Sequence, residues 1–544
     1  MTIYQRYCKE SFDRDGRLVD FDIICPEDFN FGYDVVDVYA AQEPRKRALV
    51  WCDTEGNERQ FTFAELSELS SRCANVFLSA GIGRGDKVLA ALKKHYEYWI
   101  VSIALHKIGA VLIPVTHMLT VKDYVYRIES ADIKGFVCTH QGDVCDRVLE
   151  AVKQTGISAR LWSIRQEKEG FENLTAAIEA ASPRLERVKT SSHDPMLLYF
   201  TSGTTGLPKG VIHDHSYPLA HIVTAKYWHH ALDNGLHFTV AETGWAKSSW
   251  GKLYGQWLVG SAVMVFDFDN FDPKMMMHVI NKYKVTTFCA PPTVYRYLVR
   301  SGIPEMPSLT YATTAGELLN PEVFRKFKEK TGLSLCEGYG QTESTLLTAN
   351  FDAGTSVAGS MGVPSPQYRI VLLDRDCKPT PIGESGEVCV VPKREGEHPA
   401  GLFSAYLDND ELFREVWRGG VYHTGDSATQ DENGRLWFNG RFDDIIKTGG
   451  YRVGPYEIEN VLMENPDIVE CSVVGVPDKL RGQAIKAYIV LKKGLTGDHA
   501  LEKQIKDQAN ARLSDYKWIR IIEFVDEMPK TISGKIRKVE QRKG

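Results

Sequence analysis

Met196-Leu197-Leu198-Tyr199-Phe200-Thr201-Ser202-Gly203-Thr204-Thr205-Gly206-Leu207-Pro208-Lys209-Gly210 is an apolar run that ends in a loop of glycines and hydroxyls. The run reads as a buried strand. Gly203, Gly206 and Gly210 let backbone N–H groups turn toward an anion, while Thr201, Ser202, Thr204 and Thr205 add hydroxyl donors and Lys209 adds positive charge. The loop is expected to hold a polyphosphate; a solvated turn of the same composition is the plainer alternative. A Walker A loop needs Gly-Lys followed by Ser or Thr, whereas here Pro208 precedes Lys209 and Gly210 follows it, which weakens kinase and GTPase readings.

Outward from that loop the chain repeats one rhythm. From residue 63 to 78 apolar positions recur at helical spacing, then Gly81-Ile82-Gly83-Arg84-Gly85-Asp86 leads into the strand-like Lys87-Val88-Leu89-Ala90-Ala91-Leu92. This glycine cluster precedes its strand and opens no helix, so it is not a dinucleotide fingerprint. Short apolar runs at 111–115, 135–139, 262–268 and 286–290 alternate with helical or turn-rich sequence, which predicts an α/β fold of layered, mostly parallel sheets with helices. After Ser365 the texture changes to strands and turns, as in 368–373 and 386–391, predicting a compact β subdomain before Asp426. A boundary near 441–444 separates a large N-terminal domain, 1–442, from a small α+β domain, 443–544.

A chain of 544 residues exceeds what one core sustains, in keeping with two domains. Hydrophobic residues at 43% and charged residues at 25% are ordinary for a globular enzyme, and a net charge of -6 gives no general attraction to nucleic acid or anionic membrane. An anionic cofactor must then be held locally. The eleven cysteines are scattered without Cys-x-x-Cys spacing, so neither a zinc cluster nor a disulfide framework is expected, and a reducing compartment fits. Met1-Thr2-Ile3-Tyr4-Gln5-Arg6 lacks an apolar signal core, and Glu10, Asp13 and Asp15 are too acidic for a transit peptide, which points to the cytoplasm. The longest apolar stretch, 99–115, is interrupted by His106-Lys107 and closed by Pro114, so it reads as a buried helix leading into a strand and not as a membrane span.

Further segments carry chemistry. Tyr339-Gly340-Gln341-Thr342-Glu343 follows the strand-like Leu333-Ser334-Leu335-Cys336, and a strand end is where sheet ligands bind. There a ring can stack on a purine, a hydroxyl can bond the α-phosphate, and a carboxylate can ligate Mg²⁺ through hard oxygen. Thr314-Ala315-Gly316-Glu317-Leu318 has the small residues that let backbone pass close to a ligand. Tyr422-His423-Thr424-Gly425-Asp426 ends in a carboxylate able to accept two hydroxyl hydrogen bonds at once, while His423 reads as a structural imidazole. Gly440-Arg441-Phe442-Asp443-Asp444-Ile445-Ile446-Lys447 precedes Thr448-Gly449-Gly450-Tyr451-Arg452-Val453-Gly454, and Pro529-Lys530-Thr531-Ile532-Ser533-Gly534-Lys535-Ile536 lies near the C-terminus. On composition alone the last is a solvated basic tail.

In order and spacing these segments resemble the acyl-adenylate-forming superfamily of acyl-CoA synthetases, peptide-synthetase adenylation domains and firefly luciferase. The resemblance covers nearly the whole chain and is nearest to medium-chain acyl-CoA synthetases, through 244–252, 290–296 and 449–455. It implies an AMP-forming carboxylate–CoA ligase that uses ATP, Mg²⁺ and coenzyme A, acts on a short, medium-chain, branched or aromatic acid, and serves fatty acid metabolism. By the same resemblance, Thr201, Ser202, Gly203, Thr204, Thr205, Lys209, Gly316, Glu317, Tyr339, Gly340, Asp426, Arg441 and Arg452 bind ATP. Lys535, Thr342 and Glu343 are catalytic, with Glu343 on the metal. Trp245, Trp250, Gly251 and Ala315 line the acyl pocket, and Gly449, Gly450 and Arg481 meet coenzyme A. Asp443 is the hinge of a mobile C-terminal domain.

The expected partners are small molecules, with no nucleic acid. Rival readings are a stand-alone adenylating enzyme that loads a carrier protein, a luciferase-like oxidase, and a non-catalytic nucleotide-binding protein. Intact Lys209, Glu343, Asp426 and Lys535 argue against the last. Where the family often reads Ala-Pro-Tyr-Lys-x-Pro-Arg, this chain has Ser514-Asp515-Tyr516-Lys517-Trp518-Ile519-Arg520, which bears on local backbone shape and not on the chemistry.

Overall fold

The computed structural model describes residues 2–201, 208–317, 319–449, 451–530 and 536–542, without the side chains of Asp443, Arg452 and Val539. The helix expected from residue 63 is Phe63–Ser79, and Thr62 starts it with a capping box: the Thr62 hydroxyl accepts from the Glu65 N–H while the Glu65 carboxylate accepts from the Thr62 N–H. Phe63, Leu66, Cys73, Ala74 and Phe77 then fall on its buried face. The stretch 99–115 forms the helix Glu97–Ile108 and the strand Val111–Pro114. Every residue of that helix is buried, His106 and Lys107 included, and the Lys107 ammonium is paired with Asp37 at 2.7 Å.

Two large sheets follow from the alternation of strands and helices. In the first, six parallel strands lie side by side, Pro195–Thr201, Val111–Pro114, Lys87–Ala91, Ile133–Cys138, Arg160–Ser163 and Glu172–Asn173. Antiparallel Lys209–Asp214 and Ala405–Tyr406 extend its edge beside Pro195–Thr201. The second sheet has a parallel run of Leu335–Tyr339, Tyr311–Ala315, Thr287–Cys289, Leu236–Thr239, Ala262–Asp267 and Arg47–Asp53. Beyond Leu335–Tyr339 it continues antiparallel through Thr348–Ala349, Ser360–Pro364, Leu436–Arg441, Tyr422–Gln430, Ser385–Val391 and Arg369–Leu373.

The β subdomain expected between Ser365 and Asp426 is therefore an extension of the second sheet. It begins at Ser360–Pro364 and runs past Asp426 to Arg441. Alternating apolar residues mark a strand, but its neighbours are set by partners remote in sequence.

A third, five-stranded sheet pairs Tyr451–Val453, Ile446–Thr448, Gly482–Leu491 and Ile468–Asp478 antiparallel, with Ile521–Phe524 parallel to Gly482–Leu491. Ile446, Ile458, Val473, Ile485 and Ile489 fall in a separate apolar cluster here, which makes this the smaller α+β unit of the α/β fold. No helix among the described residues is long and apolar enough to cross a membrane.

Candidate active site

The strands that flank the glycine- and hydroxyl-rich segment, Pro195–Thr201 and Lys209–Asp214, pair antiparallel. Phe200 pairs with Gly210 and Thr201 with Lys209, so a hydroxyl and an ammonium stand opposite each other at the base of that segment. Ser202, Gly203, Thr204 and Thr205 lie outside the described residues. Gly210 belongs to the strand and not to the turn. A Cβ there would lie 2.7 Å from Leu407 Cβ, so packing, and not an anion, accounts for this glycine. Lys209 Nζ stands 5.7 Å from the centre of the Tyr406 ring, and the Tyr406 hydroxyl donates to Glu343 Oε1 at 3.0 Å. Lys209, Tyr406 and Glu343 thus gather beside the hairpin.

Tyr339 ends its strand as expected, and the segment after it is tied down from several sides. His213 Nε2 bonds the Thr342 carbonyl at 2.7 Å, the Phe403 N–H donates to the Glu343 carbonyl at 2.8 Å, and the Gln341 N–H donates to Ser344 Oγ at 3.0 Å. Asp426 is the hub. Its Oδ2 accepts from the Tyr339 hydroxyl at 2.6 Å and from Gln341 Nε2 at 2.5 Å, while Oδ1 accepts from Arg441 Nη1 at 3.1 Å. Gln341 is held in turn by the Tyr422 hydroxyl, which donates to its Oε1 at 2.8 Å.

Burial, followed by the neighbouring Asp426 charge, pushes the Tyr339 hydroxyl well up, so it remains a donor to that carboxylate. Sequence reasoning named Tyr339, Asp426 and Arg441 but missed Gln341, Tyr406 and Tyr422. Gln341 stood inside the quoted pentapeptide, and its polar side chain between two assigned residues was the available signal.

On the other side of Gly340 lies Trp250. A Cβ on Gly340 would fall 2.4 Å from the indole, so glycine is what lets the Tyr339–Glu343 segment lie against this ring. Trp250 and Ala315 share a buried cluster with Trp228, Cys289, Cys336, Leu346 and Ala349. Trp245 is half-buried and stands outside it. Gly251 is answered by packing, because a Cβ there would lie 1.9 Å from Thr239 Oγ1. Lys247 Nζ donates to the Ala315 carbonyl at 2.5 Å, and Gly316 follows directly. The Glu317 carboxylate accepts from the Thr293 hydroxyl at 2.6 Å and its N–H at 3.3 Å.

Glu337 precedes Tyr339 by two positions and is buried, and burial, only partly offset by the Leu319 and Gly359 N–H groups, pushes its carboxyl from 4.5 up to about 8. Between those values the folded chain holds a proton that the unfolded chain releases, so stability falls as pH rises through the interval. Glu337→Gln is expected to flatten this slope and to stabilise the fold at about pH 8 relative to the native chain, by about 1–3 kcal/mol. Urea midpoints at about pH 5 and about pH 8 measure it, and parallel pH profiles for the two proteins would refute the buried-carboxyl account.

In the smaller unit the Gly449 N–H donates to the Arg481 carbonyl at 2.9 Å, so the two turns expected near coenzyme A lie side by side. Gly450 and Lys535 lie outside the described residues, as do the side chains of Asp443 and Arg452. Asp443 falls in the short 3-10 turn Phe442–Asp444 that follows the last strand of the second sheet.

The family model described as AMP-binding enzyme matches residues 36–393, and that of the AMP-binding enzyme C-terminal domain matches residues 457–535. This chain belongs to the AMP-binding enzyme family. Among similar proteins, the mitochondrial acyl-coenzyme A synthetase ACSM3 of Rattus norvegicus is 38% identical over 539 residues, covering 96% of this chain and 92% of that protein. The mitochondrial acyl-coenzyme A synthetase ACSM5 of Homo sapiens is 35% identical over 532 residues, covering 95% and 91%. Among solved structures, the anthranilate CoA ligase AuaEII in complex with anthranoyl-AMP matches with a TM-score of 0.83 at 26% identity, covering 95% of this chain and 98% of that one. The benzoate CoA ligase from Burkholderia xenovorans LB400 matches with a TM-score of 0.81 at 25% identity, covering 94% and 100%. The α/β architecture with its smaller C-terminal unit is the one these AMP-binding enzymes share.

Proposed function

We propose that this chain is an AMP-forming carboxylate–CoA ligase that acts on a short, medium-chain, branched or aromatic acid. The observation that carries the reading is the gathering of Lys209, Tyr406 and Glu343 beside the hairpin strands, with Glu343 close in sequence to Tyr339, which ends its strand and bonds the Asp426 hub. The similar proteins, named as acyl-CoA synthetases and CoA ligases, support it. In the first half-reaction the acid's carboxylate attacks the α-phosphate of ATP, forming acyl-AMP and releasing pyrophosphate. In the second the coenzyme A thiol attacks the acyl carbonyl and AMP leaves.

Asp426 accepts the ribose hydroxyls, steadied by Tyr339, Gln341 and Arg441. Tyr339 flanks the adenine, Gly316, Glu317 and Gly340 border it, and the Thr342 hydroxyl bonds the α-phosphate. Lys209, with Thr201 and residues 202–205, holds the polyphosphate, while Arg452 and Lys535 bring positive charge to it. Glu343 suits Mg²⁺, because its second oxygen takes no hydrogen bond from a described residue and is a hard donor; the ion would neutralise phosphate charge there. Gly449, Gly450 and Arg481 border the thiol's approach, and the 443–544 domain turns about Asp443 between steps. The eleven free cysteines suit a reducing compartment, and we assign the cytoplasm, with a role in fatty acid metabolism; cell fractionation tests the compartment.

The test is pyrophosphate release with a panel of short, medium, branched and aromatic acids, with and without coenzyme A. Acid-dependent release and acyl-CoA accumulation are expected. Turnover only with a phosphopantetheinylated carrier protein would transfer the chain to the carrier-loading class. The same panel tests Trp250, which is 6% exposed. Trp250→Ala is expected to shift preference toward longer or bulkier acids by about tenfold or more. Uniform loss across the panel with a lower Tm would make the indole a core residue instead.

A further inference from the structure

The strands Ser385–Val391 and Tyr422–Gln430 fall out of register where Asp426 is presented. Glu387 faces Ser427 and Cys389 faces His423, so two steps along one strand answer four along the other, and residues 424–426 bulge out of the ladder. A bulged backbone loses its ladder partners, and its buried N–H groups need replacements.

Gly425, at a φ of 70°, finds its replacement in the Glu387 carboxylate, whose Oε1 accepts the Gly425 N–H at 2.9 Å. Oε2 accepts from His423 Nδ1 at 2.8 Å and from Arg418 Nη2 at 3.0 Å. Thr424 Oγ1 supplies the second tether, donating to the Val388 carbonyl at 2.7 Å and accepting the Asp426 N–H at 3.1 Å. Glu387 is 4% exposed, so solvent does not compete for these bonds. Burial pushes its carboxyl up, but the His423 hydrogen bond and the His423 and Arg418 charges outweigh that and hold it below its ordinary value. Glu387, Cys389 and His423 do lie within ligating reach of one another. The carboxylate is already occupied by three donors, one of them the Arg418 guanidinium, which disfavours a cation there.

We infer that Glu387 is a positioning residue for nucleotide binding: through the Gly425 N–H it fixes the bulge that aims the Asp426 carboxylate. The inference rests on the proposed role of Asp426 as the acceptor of the ribose hydroxyls. Glu387 touches no substrate. Its effect is carried by the backbone between Gly425 and Asp426.

The experiment compares kcat/KM for ATP with kcat/KM for 2′-deoxy-ATP, a ratio that reports the hydroxyl contact and is insensitive to the fraction of folded enzyme. The native enzyme is expected to favour ATP by about tenfold. Asp426→Asn should bring the ratio toward one. Glu387→Gln should do the same while raising the KM for ATP by about fivefold or more, and should add little in the double variant. A Glu387→Gln enzyme with the native ratio, whatever its rate or Tm, overturns the inference. A native ratio in Asp426→Asn would overturn the ribose reading itself. If Glu387→Gln does not fold, Thr424→Val cuts the other tether of the same bulge, and an unchanged ratio in that variant overturns the inference equally.

Discussion

Alanine at position 535 is expected to cut acyl-AMP formation by about 10²–10³-fold, while thioester formation from supplied acyl-AMP stays within about twofold of the native rate. Lys535 belongs to the 529–536 motif and lies outside the described residues. In the proposed mechanism its charge is needed only while negative charge builds on the α-phosphate, and the second step starts from a finished adenylate. Gly450→Leu should act in the opposite sense, by crowding the thiol's path beside Gly449 and Arg481. Asp443→Pro should leave adenylation working and stall thioester formation, since proline fixes φ where a hinge needs freedom. The two half-reactions are to be timed separately in all three variants. Equal impairment of both steps by Lys535→Ala and Gly450→Leu would end the idea of a domain that alternates between them.

Glu343→Gln is expected to lower adenylation by about 10²-fold at ordinary magnesium concentration with little change in Tm. The amide keeps the shape and can still accept from the Tyr406 hydroxyl, which bonds Oε1 at 3.0 Å in the native chain. What disappears is the anionic oxygen. Extra magnesium should recover part of the rate. Native pyrophosphate release from the purified variant at ordinary magnesium would remove Glu343 from the metal.

Much of the fold is written locally. The Thr62-x-x-Glu65 box starts a helix where the apolar spacing predicts one, and the apolar stretch 99–115 divides into a helix and a strand at Gly109, the left-handed C-cap, with Pro114 closing the strand. The extent of the second sheet is not local, because Leu436–Arg441 must find Ser360–Pro364 some seventy residues back, and no pattern within either strand names the other. The site divides along the same line. Tyr339, Glu343 and Asp426 stand in recognisable segments. Tyr406 and Glu387 act on those segments from remote strands, and only folding brings them near. Glycines show the same division: a Cβ at Gly210 would meet Leu407 and one at Gly251 would meet Thr239, neighbours that no local pattern names.

The contact of Gly340 with the Trp250 indole has a bearing on redesign. A cavity cut at position 250 to admit a larger acid is also a cavity cut beneath the Tyr339–Glu343 segment, whose backbone leans on that ring with no side chain between. The segment can relax into the space, and with it the Tyr339 and Gln341 donors that hold Asp426. On the proposed roles of Trp250 and Asp426, breadth toward the acid and thrift toward ATP are therefore expected to vary together. A library that varies position 250 is best screened at limiting nucleotide.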